Sequence, residues 1–180
     1  MEKQFLIAGF GGQGVLLIGQ LLAKAAMHDG KEVSWMPSYG PEMRGGEANC
    51  AVVVSDEPIG SPLVTEPPVA VIMNKPSLIK FGPTIEENGL LLYNSSLIDE
   101  CHVREDVTVI PVNCNQIAED LGNPRTANMV MLGAILEATG IISIDISMEA
   151  LKATFGPKKE HLLPINRQAM EAGAKAARQY

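Results

Sequence analysis

The stretch Gln4-Phe5-Leu6-Ile7-Ala8-Gly9-Phe10-Gly11-Gly12-Gln13-Gly14-Val15-Leu16-Leu17-Ile18 decides the fold. The apolar run from Gln4 to Ala8 has the length of a buried strand, and four glycines then interrupt it. A helical pattern runs from about Gln13 to Asp29, with Gly30 as its stop. Gly9, Gly11 and Gly14 satisfy G-x-G-x-x-G in the context that gives this spacing a physical meaning, directly after a strand and at the opening of a helix. The glycines allow positive φ and close backbone approach, and the helix start presents unpaired N–H groups that favour an anion. Two readings stay open here: a tight strand-to-helix turn, or contact with a ligand or partner chain through Gly9, Gly11, Gly12, Gln13 and Gly14.

The alternation continues outward. Strands are predicted at Glu32 to Met36, Ala48 to Ser55, Val69 to Met73, Gly89 to Tyr93 and Val107 to Val112, with a helix around Ser77 to Glu87. From about Asn115 the pattern turns helical, with helices at Asn115 to Leu121, Ala127 to Thr139, Ser147 to Thr154 and Asn166 to Gln179, and with Ser147 and Asn166 as N-cap candidates. The expected fold is α/β, a single domain over residues 1–180 with a mostly parallel sheet, helices on both faces and a Rossmann-like glycine turn after the first strand.

Composition narrows the function. At 180 residues and 46% apolar content, one packed core is expected. A formal net charge of -7 disfavours nucleic-acid binding, which needs a Lys/Arg-rich face. The apolar run behind Met1, Glu2 and Lys3 is too short for a signal peptide, and no later run reaches the roughly 18 residues of a membrane span. A cytoplasmic location is therefore expected. Cys50, Cys101 and Cys114 are scattered singly, and an iron–sulfur cluster normally takes four thiolates, so any electron carrier is expected on another chain. His28, His102 and His161 have no glycine-framed nucleophile nearby, and the acids at Glu86-Glu87 and Asp99-Glu100 do not form a contrasting pair. No catalytic or metal-ligating residue is expected in this chain.

The nicotinamide reading needs an acid about 20 residues after the glycines, at the carboxyl end of the second strand. Here that strand runs Val33-Ser34-Trp35-Met36-Pro37, and the acid Glu32 stands at its beginning. A phosphate-hydrolase loop fails too, because Val15 and Leu16 occupy the places of its Lys and Ser/Thr. The second strand leads into an irregular segment, Pro37-Ser38-Tyr39-Gly40-Pro41-Glu42-Met43-Arg44-Gly45-Gly46, whose prolines and glycines forbid regular structure. In a parallel sheet it emerges beside the first glycine loop. Arg44 brings a planar fork of donors and Tyr39 an apolar face with a polar tip, which suits anion recognition or partner docking. The alternative is a local Arg44 pair with Glu42 or Glu47, with Tyr39 packed on the loop's prolines. Met36 and Met43, at and in this loop, suit an adaptable interface, whereas Met129 and Met131 suit a helical core.

The two motifs together, Gly9-x-Gly11-Gly12-Gln13-Gly14 and Ser38-Tyr39-Gly40-Pro41-Glu42-x-Arg44-Gly45-Gly46, resemble the gamma component of 2-oxoacid:ferredoxin oxidoreductases. The resemblance extends through Asn128-Met129-Val130-Met131-Leu132-Gly133 and to Lys159, Asn166, Ala169 and Gly173. Pro67-Pro68 departs from it, because relatives commonly carry an acid just before the fourth strand. The resemblance implies oxidative decarboxylation of a 2-oxoacid with coenzyme A, giving acyl-CoA, carbon dioxide and reduced ferredoxin, closest to the 2-oxoglutarate or branched-chain types. It also implies thiamine diphosphate, magnesium and iron–sulfur clusters on partner subunits. Those partners are thiamine-binding alpha and beta chains and a ferredoxin-like subunit, with coenzyme A as a co-substrate contact of this chain. The isolated chain is expected to be inactive and able to homodimerise. A stand-alone dinucleotide- or coenzyme A-binding protein is the alternative.

Overall fold

The computed structural model describes residues 1–39 and 46–180. Its elements are β1 (Glu2–Phe10), α1 (Val15–His28), β2 (Glu32–Tyr39), β3 (Glu47–Ser55), β4 (Val69–Ile72), α2 (Lys75–Phe81), β5 (Leu90–Asn94), β6 (Thr108–Val112), α3 (Cys114–Asp120), α4 (Ala127–Thr139), α5 (Ile144–Phe155) and α6 (Leu163–Ala177). The strands form one six-stranded sheet in the order β2-β3-β1-β4-β5-β6.

The expected mostly parallel α/β sheet is present, with one reversal. β1, β4, β5 and β6 pair in parallel, while β3 runs antiparallel to both β1 and β2, so every strand except β3 points the same way. β2 and β3 are therefore consecutive antiparallel partners, and the end of β2 and the start of β3 lie at the edge where β1 ends. The register makes this concrete: Phe10 pairs with Glu47, Ala8 with Asn49, and Tyr39 with Ala48. Both outer strands carry a proline, Pro37 in β2 and Pro111 in β6, where a missing ladder N–H is tolerated.

Alternation along the strands splits the core. Phe5, Ile7, Cys50, Val52 and Val54 face the larger cluster, built with α1, α3, α4, α5 and α6. Ala8, Ala70, Ile72 and Leu91 face a smaller one that includes Leu78 of α2 and Ile98. α4 is buried continuously from Asn128 to Leu136, as a helix enclosed by neighbours should be. Met129 and Met131 are fully within this core, as their helical spacing implies.

Helix starts differ from expectation at two places. α5 begins at Ile144 and is capped by Ser143, whose hydroxyl accepts from the Ile146 N–H at 3.2 Å. Ser147 instead sits buried one turn inside and donates back to the Ser143 carbonyl at 3.0 Å. α6 begins at Leu163 with a proline in its first turn, and Asn166 donates to the Leu162 carbonyl at 2.8 Å. Pro164 needs no N–H there, and Ile144, Ile146 and Leu163 pack on the core, so each helix extends one turn earlier than its polar residue suggests. α2 is shorter than expected, because the Gly82-Pro83 step converts its continuation to a 3-10 turn over Gly82–Thr84.

Candidate docking edge

The carboxyl ends of β1 and β2 lie at the same edge of the sheet as the start of β3. Gly12 and Gly14 take positive φ of 97° and 76°, and Gly14 is the left-handed residue from which α1 starts. The Gln13 N–H closes the turn onto the Phe10 carbonyl at 3.1 Å. Its side chain folds back: Oε1 accepts from the Phe10 N–H at 2.6 Å, and Nε2 donates to the Met73 carbonyl, just past β4, at 3.2 Å. Gly11 donates its N–H to the Gly46 carbonyl at 2.8 Å, which ties the first loop to the end of the second. Among the described residues, the two loops meet at this one backbone bond, made at the head of the antiparallel β3.

Three amides of the glycine turn, those of Phe10, Gly11 and Gln13, are therefore already bonded within the chain. Gly14 lies against the buried carboxamide of Asn128, so close that a Cβ on Gly14 would overlap it. The amino ends of α1 and α4 meet at this point. Asn128 belongs to the motif noted in the sequence, yet its position beside Gly14 had no local signal there, because 113 residues of chain separate them.

Pro37, Ser38 and Tyr39, expected in the irregular segment, instead continue β2, because β3 offers each a ladder partner and an edge strand tolerates the proline: Ser38 is exposed and pairs with Asn49, and Tyr39 closes the ladder opposite Ala48. Gly40, Pro41, Glu42, Met43, Arg44 and Gly45 lie outside the described residues, as does the side chain of Tyr39. Glu47 reaches Lys80 at 2.5 Å, and both are exposed enough that this pair contributes little. Phe10 keeps 38% of its surface exposed at the tip of β1. Met36 is 40% exposed on the sheet face away from the larger helical layer, and together with Leu6, Ser38, Asn49, Leu63 and Phe81 it lines a cavity of about 360 Å³.

The residues weighed for chemistry are dispersed. His28, His102 and His161 are all exposed, and the one histidine contact with an acid among the described residues is His102 to Glu100 at 3.3 Å. Cys50 and Cys114 are buried and Cys101 is half-buried, all as free thiols. Burial pushes the Cys50 thiol up to about 12, and burial raises Cys114 and Cys101 as well, so each is held as the neutral thiol at neutral pH. Among the described residues there is no group of three His, Cys, Asp or Glu side chains that could hold a metal, and no helix long and apolar enough to cross a membrane. Glu32 stands at the far end of β2, opposite Ser55, away from the glycine turn.

Comparison with known proteins adds the family. Residues 4–176 match the family model described as pyruvate ferredoxin/flavodoxin oxidoreductase. The chain belongs to the pyruvate ferredoxin/flavodoxin oxidoreductase family. Within this oxidoreductase family it is 43% identical over 179 residues to the ketoisovalerate oxidoreductase subunit VorA of Methanothermobacter marburgensis, covering 98% of this chain and 37% of that protein. It is 37% identical over 180 residues to the 2-oxoglutarate synthase subunit KorC of the same organism, covering 96% of this chain and 95% of the relative. Among solved structures, a 2-oxoglutarate:ferredoxin oxidoreductase from Magnetococcus marinus with 2-oxoglutarate, coenzyme A and succinyl-CoA bound superposes with a TM-score of 0.91 at 27% identity, over 99% of this chain and 31% of that one. The chain thus spans about a third of the ketoisovalerate relative and nearly all of the 2-oxoglutarate one.

Proposed function

We propose that this chain is the gamma component of a thiamine-dependent 2-oxoacid:ferredoxin oxidoreductase, which converts a 2-oxoacid, coenzyme A and oxidised ferredoxin into acyl-CoA, carbon dioxide and reduced ferredoxin. The observation that carries the reading is the tied pair of loops at the carboxyl edge, Gly11 to Gly46, on a chain whose relatives are subunits of such oxidoreductases. In this reading Gly9 to Gly14 and Ser38 to Gly46 form a docking edge for the thiamine-binding alpha and beta subunits, and the exposed ring of Phe10 is its apolar anchor. Thiamine diphosphate, magnesium and the clusters reside on those subunits and on a ferredoxin-like chain. Coenzyme A reaches the active site past this edge.

The substrate is 2-oxoglutarate or a branched-chain 2-oxoacid, a choice supported by the two relatives, with the side chain read by the partner subunits. The chain contributes shape rather than chemistry: its three histidines are exposed and far apart in sequence, and its thiols are neutral. The rival reading of a self-sufficient dinucleotide-binding protein is disfavoured, because three turn amides are already used and no acid stands at the carboxyl end of β2 among the described residues. Anaerobic co-purification from the native source, followed by coenzyme A-dependent ferredoxin reduction with a panel of 2-oxoacids, tests the assignment. Recovery of active complex supports it; a lone chain that binds NAD or NADP tightly contradicts it.

A further inference from the structure

We infer that Gln13 is a positioning residue, a latch that holds the roots of the two carboxyl-edge loops in register. The side chain spans two elements at once: it accepts from the Phe10 N–H at the end of β1 and donates to the Met73 carbonyl at the end of β4. A carboxamide supplies an acceptor and a donor on one carbon; an ionised carboxylate only accepts, and an aliphatic chain does neither. Its seat is cut to size, since a Cβ on Gly9 would stand 2.6 Å from the Gln13 Oε1 and 2.8 Å from the Met73 Cβ. Gly9 is therefore glycine because the Gln13 carboxamide occupies the space beside it.

The consequence reaches the second loop. Phe10, whose N–H is held by Gln13, pairs with Glu47 in the ladder, and the next residue, Gly11, donates to the Gly46 carbonyl. The end of β1, the start of β3 and the end of β4 are joined through one side chain and one backbone bond. Both polar atoms of Gln13 are taken up by these partners, so its work is done through the loop roots it fixes rather than by touching a ligand. That these loops serve docking rests on the function proposed above; the latch itself does not.

The test uses the full chain, labelled with 15N, and reads hydrogen exchange of the Gly11 amide. Gln13→Met, which keeps length and removes both bonds, should accelerate Gly11 exchange about five- to thirty-fold, the equilibrium equivalent of one to two neutral hydrogen bonds. Gln13→Glu retains the acceptor for Phe10 and should fall between wild type and Gln13→Met. Core amides such as Ile7 and Val52 should stay near their wild-type rates in both. Unchanged Gly11 exchange in Gln13→Met, or equal acceleration of every core amide, would overturn the latch, the second because Gln13 would then be a general stability element. Association with thiamine-bearing partner subunits is measured in parallel and should weaken in the same order. Faster Gly11 exchange with undiminished association would uphold the latch and count against the docking edge.

Discussion

Gly14, at the amino end of α1, lies directly against the carboxamide of Asn128, at the amino end of α4. The contact joins the first helix of the chain to the helix at the centre of its larger core. Gly14 is glycine for two reasons that act together: its φ of 76° is left-handed, and the space a Cβ would need is filled by Asn128.

Gly14→Ala should therefore destabilise by about 1–3 kcal/mol from the left-handed backbone alone, and by more from the overlap. Asn128→Ala removes the two closest contacts, with Nδ2 and Cγ, keeps the Cβ at 3.2 Å, and leaves the backbone cost. A double-mutant cycle by chemical denaturation should return a coupling on the order of 0.5–3 kcal/mol, with the double variant more stable than the sum of the singles predicts. Strict additivity would mean that the two residues do not touch.

α4 and α6 cross at a pair of glycines. A Cβ on Gly133 would overlap the Met170 carbonyl, and one on Gly173 would overlap the Val130 carbonyl. Because backbone rather than a mobile side chain stands in the way, the helices must separate to admit a methyl group. Gly133→Ala and Gly173→Ala should each cost at least about 1–3 kcal/mol despite the better helix propensity of alanine. Thermal unfolding of the two variants checks this; a stabilised variant would show that the crossing is looser than described.

How much of this was legible beforehand differs by level. The strand–glycine–helix opening gave the α/β class because periodicity is local and Phe5 and Ile7 advertise their own burial. The reversal of β3 was invisible, because a Val-rich run carries no sign of direction; only the pairing of Phe10 with Glu47 and Tyr39 with Ala48 fixes it. Ser147 and Asn166 misled as caps because a polar residue inside a helix can bond back to the carbonyl four residues earlier, as both do. At the edge, the glycines of the first turn were readable from their spacing, whereas the inward turn of Gln13 toward Met73 and the seat of Asn128 depend on tertiary contacts that no motif encodes.

The chain should lose stability in acid through identifiable carboxylates. Hydrogen bonding to the Arg104 guanidinium and to the Asn88 N–H depresses Asp106 to about 2, and an Arg178 hydrogen bond lowers Glu137. A depressed folded-state pKa stabilises above the unfolded value of about 3.9 and stops doing so as pH falls through the folded one. Asp106→Asn should therefore melt at a lower temperature than wild type at pH 6, and the difference should shrink as pH falls from about 4 toward 2. A difference that stays constant across this range would show that the carboxylate charge contributes nothing.

Thiol titration gives an independent reading of burial. Cys101, half-buried, should react with an aromatic disulfide reagent in the native chain, slowly because burial raises its pKa. Cys50 and Cys114 should react only after unfolding. Rapid native-state modification of Cys50 would contradict its place between β3 and α1, where it lies against the Val15 carbonyl at 3.8 Å.

The most direct test of the central claim is the composition and activity of the complex that this chain forms in its native source. The tagged chain, recovered without oxygen, should bring down thiamine- and cluster-bearing subunits that reduce ferredoxin with coenzyme A and either 2-oxoglutarate or a branched-chain 2-oxoacid. A chain recovered alone, or one that binds a nicotinamide dinucleotide tightly by itself, would contradict the account.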